Sequence, residues 1–222
     1  MTDLAEKKAT TAPRRVYEPA KRTVDIVFSL ALIIAVAPLL LFLCLLVRST
    51  SAGPALFRQE RLGRDKRPFT MLKLRTMYID NDDWIHRDYV TRLLSADQAA
   101  PAENGGLFKL DADPRKTPLG TWLRRTSLDE LPQLFNVLYG EMSLVGPRPV
   151  LPWEAQMFDE AYQPRFAVKP GITGLWQVNG RSRLSMQKAL ELDVEYVIRS
   201  SFILDLAILL RTVPAVFRGG AR

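Results

Sequence analysis

Two adjacent carboxylates, Asp129 and Glu130, sit among arginines in the stretch RRTSLDELPQLFNVLYGEMSLVGPRP, residues 124–149. Neighbouring carboxylates can hold Mg²⁺ together with substrate phosphates. A carboxylate that attacks phosphorus gives an acyl phosphate, an established form of covalent catalysis. Arg124, Arg125 and Arg148 offer forked guanidinium partners for phosphate oxygens. Catalysis in such a site is mostly positioning and charge neutralisation. The plainer reading is that the two acidic residues only complement a helix dipole. Ser127-Leu128-Asp129-Glu130 matches a capping box, in which the serine caps a helix and the glutamate reaches back. Pro132 fits if that helix starts close by, because proline belongs in the first turn. The pattern therefore places Asp129 and Glu130 at or near a helix N-terminus, where free N–H groups face a phosphate.

Other chemistries are narrowed by scarce residues. Cys44 is the single cysteine, so an internal disulfide and a four-thiolate metal site are excluded. With His86 as the single histidine, histidine-dyad and HExxH chemistry are excluded too. The 222 residues are 47% hydrophobic and 25% charged, unlike a disordered, collagen-like or low-complexity chain. That length suits one domain, or one domain with an appendage. Mean hydropathy is near zero, which excludes a multi-span transporter. Thirty-one Lys and Arg against 24 Asp and Glu leave a net charge of +7. Such an excess fits an anionic membrane surface, a nucleic acid or a phosphorylated substrate, and charge alone does not choose among them.

The elements that must position the carboxylates begin with VDIVFSLALIIAVAPLLLFLCLLV, from Val24 to Val47. This run is long enough to cross a bilayer, and a water-soluble helix is rarely apolar on every face for such a length. A signal peptide cleaved near Ser51-Ala52-Gly53 is a rival, with an apolar core far longer than usual. Lys7, Lys8, Arg14, Arg15, Lys21 and Arg22 precede the run, and Arg48, Arg58, Arg61, Arg64, Lys66 and Arg67 follow it. Basic flanks favour the cytoplasmic side, and here both ends carry that signal. Pro38 removes a backbone hydrogen bond mid-run and kinks the helix. A helix that dips into one leaflet and returns satisfies both flanks, provided the freed carbonyl finds a partner. A proline-kinked straight span stays open, and spacing favours re-entry by a small margin.

Residues 1–20 read as a flexible tail. ALFRQERLG and RPFTMLKLRTM read as two strands joined by a Gly63–Lys66 turn. A helix is expected over 80–94, a polar loop over Ser95–Gly106, and a second helical region over 118–140 followed by the turn VGPRPVLP. Residues 185–199 form an amphipathic helix with Leu190, Val194 and Val197 on one face. FILDLAILLRTVPAVF (202–217) is too short and too interrupted by Asp205 and Arg211 to span, so it belongs in the core or along the membrane interface.

These motifs, in this order, resemble the bacterial sugar transferases called monotopic phosphoglycosyl transferases. The likeness runs from Lys21 to about Thr212 through KRTVD (21–25), the Pro38-broken helix and GPALFRQERLGRDKRPFTMLKLRTM (53–77). It continues through DPRKTPLGTWLRRTSLDELPQLFNVLYGEMSLVGPRP (113–149), PGITGLWQVNGR (170–181) and DVEY (193–196). The resemblance implies that Asp129 is a nucleophile accepting a sugar phosphate from a UDP-sugar with release of UMP. Glu130 would be its partner, assisting with Mg²⁺ or proton transfer. Polyprenol (undecaprenyl) phosphate would then take the sugar phosphate, beginning exopolysaccharide, lipopolysaccharide or other glycoconjugate assembly. A re-entrant helix broken at Pro38, and a site at the cytoplasmic face of the bacterial inner membrane, are implied as well. The likeness covers only the catalytic portion of larger relatives, whose membrane-helix bundle and accessory domain have no match here; a small member or a natural short form is expected.

Lys73 and Arg75 of the KLRTM strand and Arg181 of VNGR are further candidates for phosphate or nucleotide contacts, against a reading as solvated surface charge. Trp176 is expected in the core and His86 on the surface. A rival enzyme reading uses Asp111-Ala112-Asp113 as the metal-binding DxD of a glycosyltransferase releasing UDP, although no alternation of strands and helices accompanies it. A non-enzymatic reading is a basic membrane scaffold; no nucleic-acid motif is present, and no nucleic-acid partner is expected. The expected architecture is α+β and mostly helical, with a re-entrant membrane helix at 21–48 and a cytosolic domain at 49–222. Interfacial amphipathic segments seat it. Expected partners are a UDP-sugar, polyprenol phosphate and membrane lipids, with a homodimer as an option.

Overall fold

The computed structural model describes residues 14–79, 84–95, 113, 115–180 and 184–219. Asp111, Arg181, the side chain of His86 and most of the 95–106 loop lie outside them. The chain opens with α1 (Arg14–Thr50), which contains Pro19 and Pro38. Residues 14–20, expected in the tail, are therefore helical. Among the described residues α1 is the one helix long and apolar enough to cross a membrane.

Only one stripe of α1 is covered. Asp25, Ser29, Leu43 and Val47 are buried, with Ile33, Val36 and Leu40 half-buried between them. This three-to-four-residue spacing is one helix face packed along its length on the rest of the protein. Val27, Phe28, Ile34, Leu41 and Leu45 on the other faces are bare.

β1 (Leu56–Leu62) and β2 (Pro68–Leu74) form an antiparallel hairpin in the register Phe57↔Lys73 and Arg61↔Phe69. A short 3₁₀ turn, Arg64–Lys66, joins them as expected. After α2 (Trp84–Ser95), α3 (Pro118–Thr126) starts at Thr117, whose hydroxyl accepts from Gly120 N at 2.9 Å. A 3₁₀ turn, Leu128–Glu130, leads to α4 (Gln133–Tyr139). β3 (Ser143–Val145) then pairs in parallel with β4 (Gly171–Thr173). Between them come α5 (Pro152–Gln156) and a 3₁₀ segment, Glu160–Ala167. α6 (Leu175–Asn179), α7 (Met186–Arg199) and α8 (Phe202–Gly219) complete the mostly helical α+β fold.

One cluster of buried residues joins Phe69 and Met71 of β2 to Val137, Met142, Tyr196 and Ile208, with Ile33 and Val36 of α1 against it. A second places Leu43 and Val47 of α1 on Leu74 and Leu123. A third gathers Val90, Phe158, Phe166, Met186 and the buried Trp176, which is core as expected. In α7, Leu190 and Val197 are buried and Val194 is half-buried, matching the amphipathic reading. α8 buries Asp205 and Ile208 and leaves Ile203, Leu206, Leu210 and Val213 bare.

The capping box is corrected. Ser127 ends α3 and stands at the N-cap position of the next 3₁₀ turn, but it adopts a left-handed backbone, φ 57°, and its side chain makes no cap bond to that turn. A left-handed residue turns its side chain away from the N–H groups ahead, so the box geometry does not form. Asp129 and Glu130 occupy the 3₁₀ turn before α4 rather than the first turn of an α-helix.

Candidate active site

The reversal at Ser127 carries the acidic pair inward. α3 lies tight against the end of β2: a Cβ on Gly120 would sit 2.0 Å from the Thr76 carbonyl oxygen, so only glycine permits the approach. Thr117 N donates to the same carbonyl at 3.1 Å. α3 then ends, and the 3₁₀ turn places Asp129 in the protein at 4% exposure. Glu130 Oε1 faces Lys73 Nζ at 3.2 Å, with both side chains mostly covered.

Asp129 lines a cleft of about 930 Å³. Its walls are the second half of α1 (Leu41, Cys44, Leu45, Arg48), the hairpin with the residues following it, the last turn of α3 with Arg124, and the loop that carries Arg148. Cations converge on the carboxylate. Burial pulls the Lys73 amine below the ordinary lysine value, and Arg148 and Arg61 pull the same way against the attraction of Glu130 and Asp129. Burial likewise lowers Arg124, opposed by Asp129 and Asp113. Arg148 is held through its own carbonyl, which accepts from Arg165 Nη2 at 2.8 Å. Arg165 is in turn paired with buried Asp193 at 2.6 Å.

A cleft with a buried Asp129 carboxylate, neighbouring cations and apolar helix residues at its wall suits a phosphorylated substrate. Residues 16–219 match the family model described as bacterial sugar transferase. The chain belongs to this family. It is 42% identical over 198 residues to the UDP-galactose-lipid carrier transferase of Erwinia amylovora, covering 89% of this chain and 40% of that protein. It is 41% identical over 198 residues to the undecaprenyl-phosphate galactose phosphotransferase of Salmonella typhimurium, again covering 89% and 40%. With the exopolysaccharide production protein ExoY of Sinorhizobium fredii it shares 38% identity over 207 residues, 93% of this chain and 89% of that one. The chain thus spans about two-fifths of the length of the first two relatives and most of the third.

Within this sugar transferase fold, Lys73, Arg75, Arg124, Asp129 and Arg148 meet in one cleft, with Glu130 held beside Lys73. Arg75 is committed elsewhere than its sequence position suggested. Its guanidinium donates to the carbonyls of Ser51 (2.8 Å), Val47 and Gly53 (each 3.4 Å) and Ala52, closing the chain just after α1. Arg125 is exposed and does not line the cleft.

Several lining groups were missed, among them Arg61, Glu154 and Arg115. Arg61 is buried, donating to Gln59 Oε1 at 2.7 Å and lying 3.6 Å from Glu154. Strand alternation could have found it, because 57, 59 and 61 share a face with the partner of Phe57, Lys73. Glu154 reaches the cleft on α5, and no local pattern announces it. Arg115 clasps Asp113 with two side-chain bonds of 2.9 Å. Burial alone would raise Asp113, but the bonds from Arg115 outweigh it and hold the carboxyl below its usual range. A carboxylate clasped in this way is a poor metal ligand, which weighs against the DxD reading.

The donor set fits a hard cation. Asp129 and Glu130 are consecutive carboxylates in the 3₁₀ turn, and among the described residues no three His, Cys, Asp or Glu side chains gather into a protein-only cage. Mg²⁺ ordinarily takes one or two carboxylates together with substrate phosphates. Binding would draw Glu130 from Lys73.

Proposed function

We propose that this chain transfers a sugar-1-phosphate from a UDP-sugar to polyprenol (undecaprenyl) phosphate, the initiating step of polysaccharide or glycoconjugate assembly. The observation that carries the reading is the burial of Asp129 in a cleft whose facing wall bears Lys73, Arg124 and Arg148 and whose lip is the membrane helix. Relatives named as lipid-carrier and undecaprenyl-phosphate sugar transferases support it.

An Asp129 carboxylate oxygen attacks the sugar-bearing phosphorus of the donor. The bond to the bridging oxygen breaks and UMP departs with that oxygen, leaving the sugar phosphate on Asp129 as an acyl phosphate. An oxygen of polyprenol phosphate then attacks the same phosphorus, restores the carboxylate and gives a polyprenyl-diphosphate sugar. Lys73, Arg124 and Arg148 hold phosphate oxygens and offset charge that builds in the transition state. Glu130 positions Lys73 and manages the proton of the incoming group. Mg²⁺, held by Asp129 and Glu130, would neutralise charge on the diphosphate.

α1 enters one leaflet and returns, with the catalytic domain at the cytoplasmic face of the inner membrane. Support comes from both ends of α1 being bonded to one domain. Arg22 near its start donates to the Val137 carbonyl at 2.6 Å, and Arg75 takes the Ser51 carbonyl at its end. A straight crossing would put one of those ends on the far side of the bilayer.

The test is incubation of the purified protein with Mg²⁺, polyprenol phosphate and a panel of UDP-sugars, followed by identification of the nucleotide released. UMP released with one donor is the expected result. Release of UDP would overturn it.

A further inference from the structure

A second concavity of about 310 Å³ lies away from the Asp129 cleft, between the first turns of α1, the Arg64–Lys66 turn and the Val168-Lys169 segment. Lys21, Arg22, Arg64 and Lys169 line it, with Glu18 and Asp25 as its acidic members. Both carboxylates are engaged: Glu18 with Arg64 at 3.0 Å, and Asp25 with Ser143 Oγ and Leu144 N. Lys21 is satisfied by Asp205 at 2.7 Å. Arg22 spends its two Nη atoms on the Val137 and Leu138 carbonyls, and among the described residues it forms no salt bridge.

Lys169 differs from these. Its amine makes no hydrogen bond or salt bridge among the described residues and is half-buried, with Asp25 and Glu18 attracting it only at longer range. It lies close to Arg22: Lys169 Nζ and the Arg22 guanidinium both come within 3.5 Å of the point where a side chain on Gly140 would begin. Burial, and then the like charge of Arg22, lower the amine from its ordinary value. Two cations held together in a half-buried recess make a place where an anion is favoured.

The surroundings name the anion's carrier. Beyond Asp25, α1 turns to bare apolar surface at Val27 and Phe28. Ser200, also in the lining, precedes α8, whose Phe202 packs edge-on against Tyr17 at 5.1 Å and whose Ile203 is 84% exposed. The recess thus opens where two bare apolar elements begin, at the level of lipid headgroups if those elements lie in the membrane.

We propose that this recess binds the phosphate of an anionic phospholipid headgroup, with Lys169 and Arg22 as its cations and the acyl chains lying along α1 and α8. Basic recesses beside membrane helices on the cytoplasmic side bind such headgroups. The site is independent of the chemistry at Asp129.

The full chain is placed in nanodiscs of phosphatidylcholine and phosphatidylglycerol, transferred to neutral detergent, and its retained lipid counted by native mass spectrometry. Wild type retains phosphatidylglycerol in preference to phosphatidylcholine, and Lys169→Gln retains it about fivefold less, the effect of one cation near a lipid surface. Arg199→Gln, an exposed cation on α7, serves as the control and leaves retention unchanged. Because Lys169 has no hydrogen bond or salt bridge to lose among the described residues, the variant folds as wild type does, which its melting curve in phosphatidylcholine checks. Equal retention by wild type and Lys169→Gln overturns the site. Displacement of the lipid by millimolar inorganic phosphate would assign the recess to a soluble anion and overturn the lipid as its ligand.

Discussion

Asp25 Oδ1 accepts from Ser143 Oγ at 3.1 Å and from Leu144 N at 3.0 Å, across 118 residues of sequence. One partner is on the apolar helix and the other opens β3, the strand that runs into Arg148. The same carboxylate therefore sets the helix against the domain and fixes the start of the segment that carries a cleft cation.

Asp25→Ala strands a buried N–H and a hydroxyl, at a cost of about 1–3 kcal/mol. Ser143→Ala removes only one of the two bonds and costs about 1 kcal/mol. Thermal unfolding in nanodiscs should rank the two variants in that order. Equal melting temperatures for wild type and Asp25→Ala would show that the contact contributes nothing.

On the proposed mechanism, Asp129→Asn keeps the size of the side chain and removes the nucleophile, so UMP release should fall by at least about 10⁴-fold. With a UDP-sugar labelled in its sugar and given without lipid acceptor, label stays on wild-type protein and not on the variant. Turnover by Asp129→Asn at the wild-type rate would exclude the covalent step.

Lys73→Gln removes the cation 3.2 Å from Glu130 and, on the proposed reading, a positive charge facing the donor phosphates. A loss of about 10²–10³-fold in kcat is expected. Lys73→Arg keeps the charge and recovers part of the rate. If Lys73→Gln turned over normally, the lysine would be only a structural partner of Glu130.

Burial pushes Asp193 up to about 6, partly offset by Arg165. Its folded value lies above the unfolded carboxylate value of 3.8, so the folded state binds the extra proton between them. The contribution of Asp193 to stability is then fullest below 3.8 and is lost as pH rises through about 6. Wild-type stability measured relative to Asp193→Asn should accordingly improve as pH falls through that window and stay flat above it. A difference that does not vary with pH would mean that the aspartate stays ionised throughout.

The hairpin was legible because its signals are local: alternation along β1 and β2 and a glycine turn between them. α1 was legible from hydropathy, and α7 from its apolar period. β3 and β4 were not, because three residues each give no period and their parallel pairing joins distant segments. Ser127 misled because its capping pattern is read forward, whereas in the fold the residue closes the helix behind it. Arg75 shows the limit for the site. Its charge and strand were visible, but the carbonyls that engage it belong to a turn brought close only by folding. Arg61 and Glu154 reach the cleft by the same long-range route.

Leu41, Cys44 and Leu45 belong both to the apolar helix and to the wall of the Asp129 cleft. On the proposed reading, a lipid acceptor travels to the reaction within the plane of the bilayer and never through bulk water. The quantity that governs encounter is then its mole fraction in the surface, not its molarity in the tube. Adding inert lipid or detergent at constant acceptor thins that surface population and slows the second half-reaction, while the release of UMP in the first is left untouched.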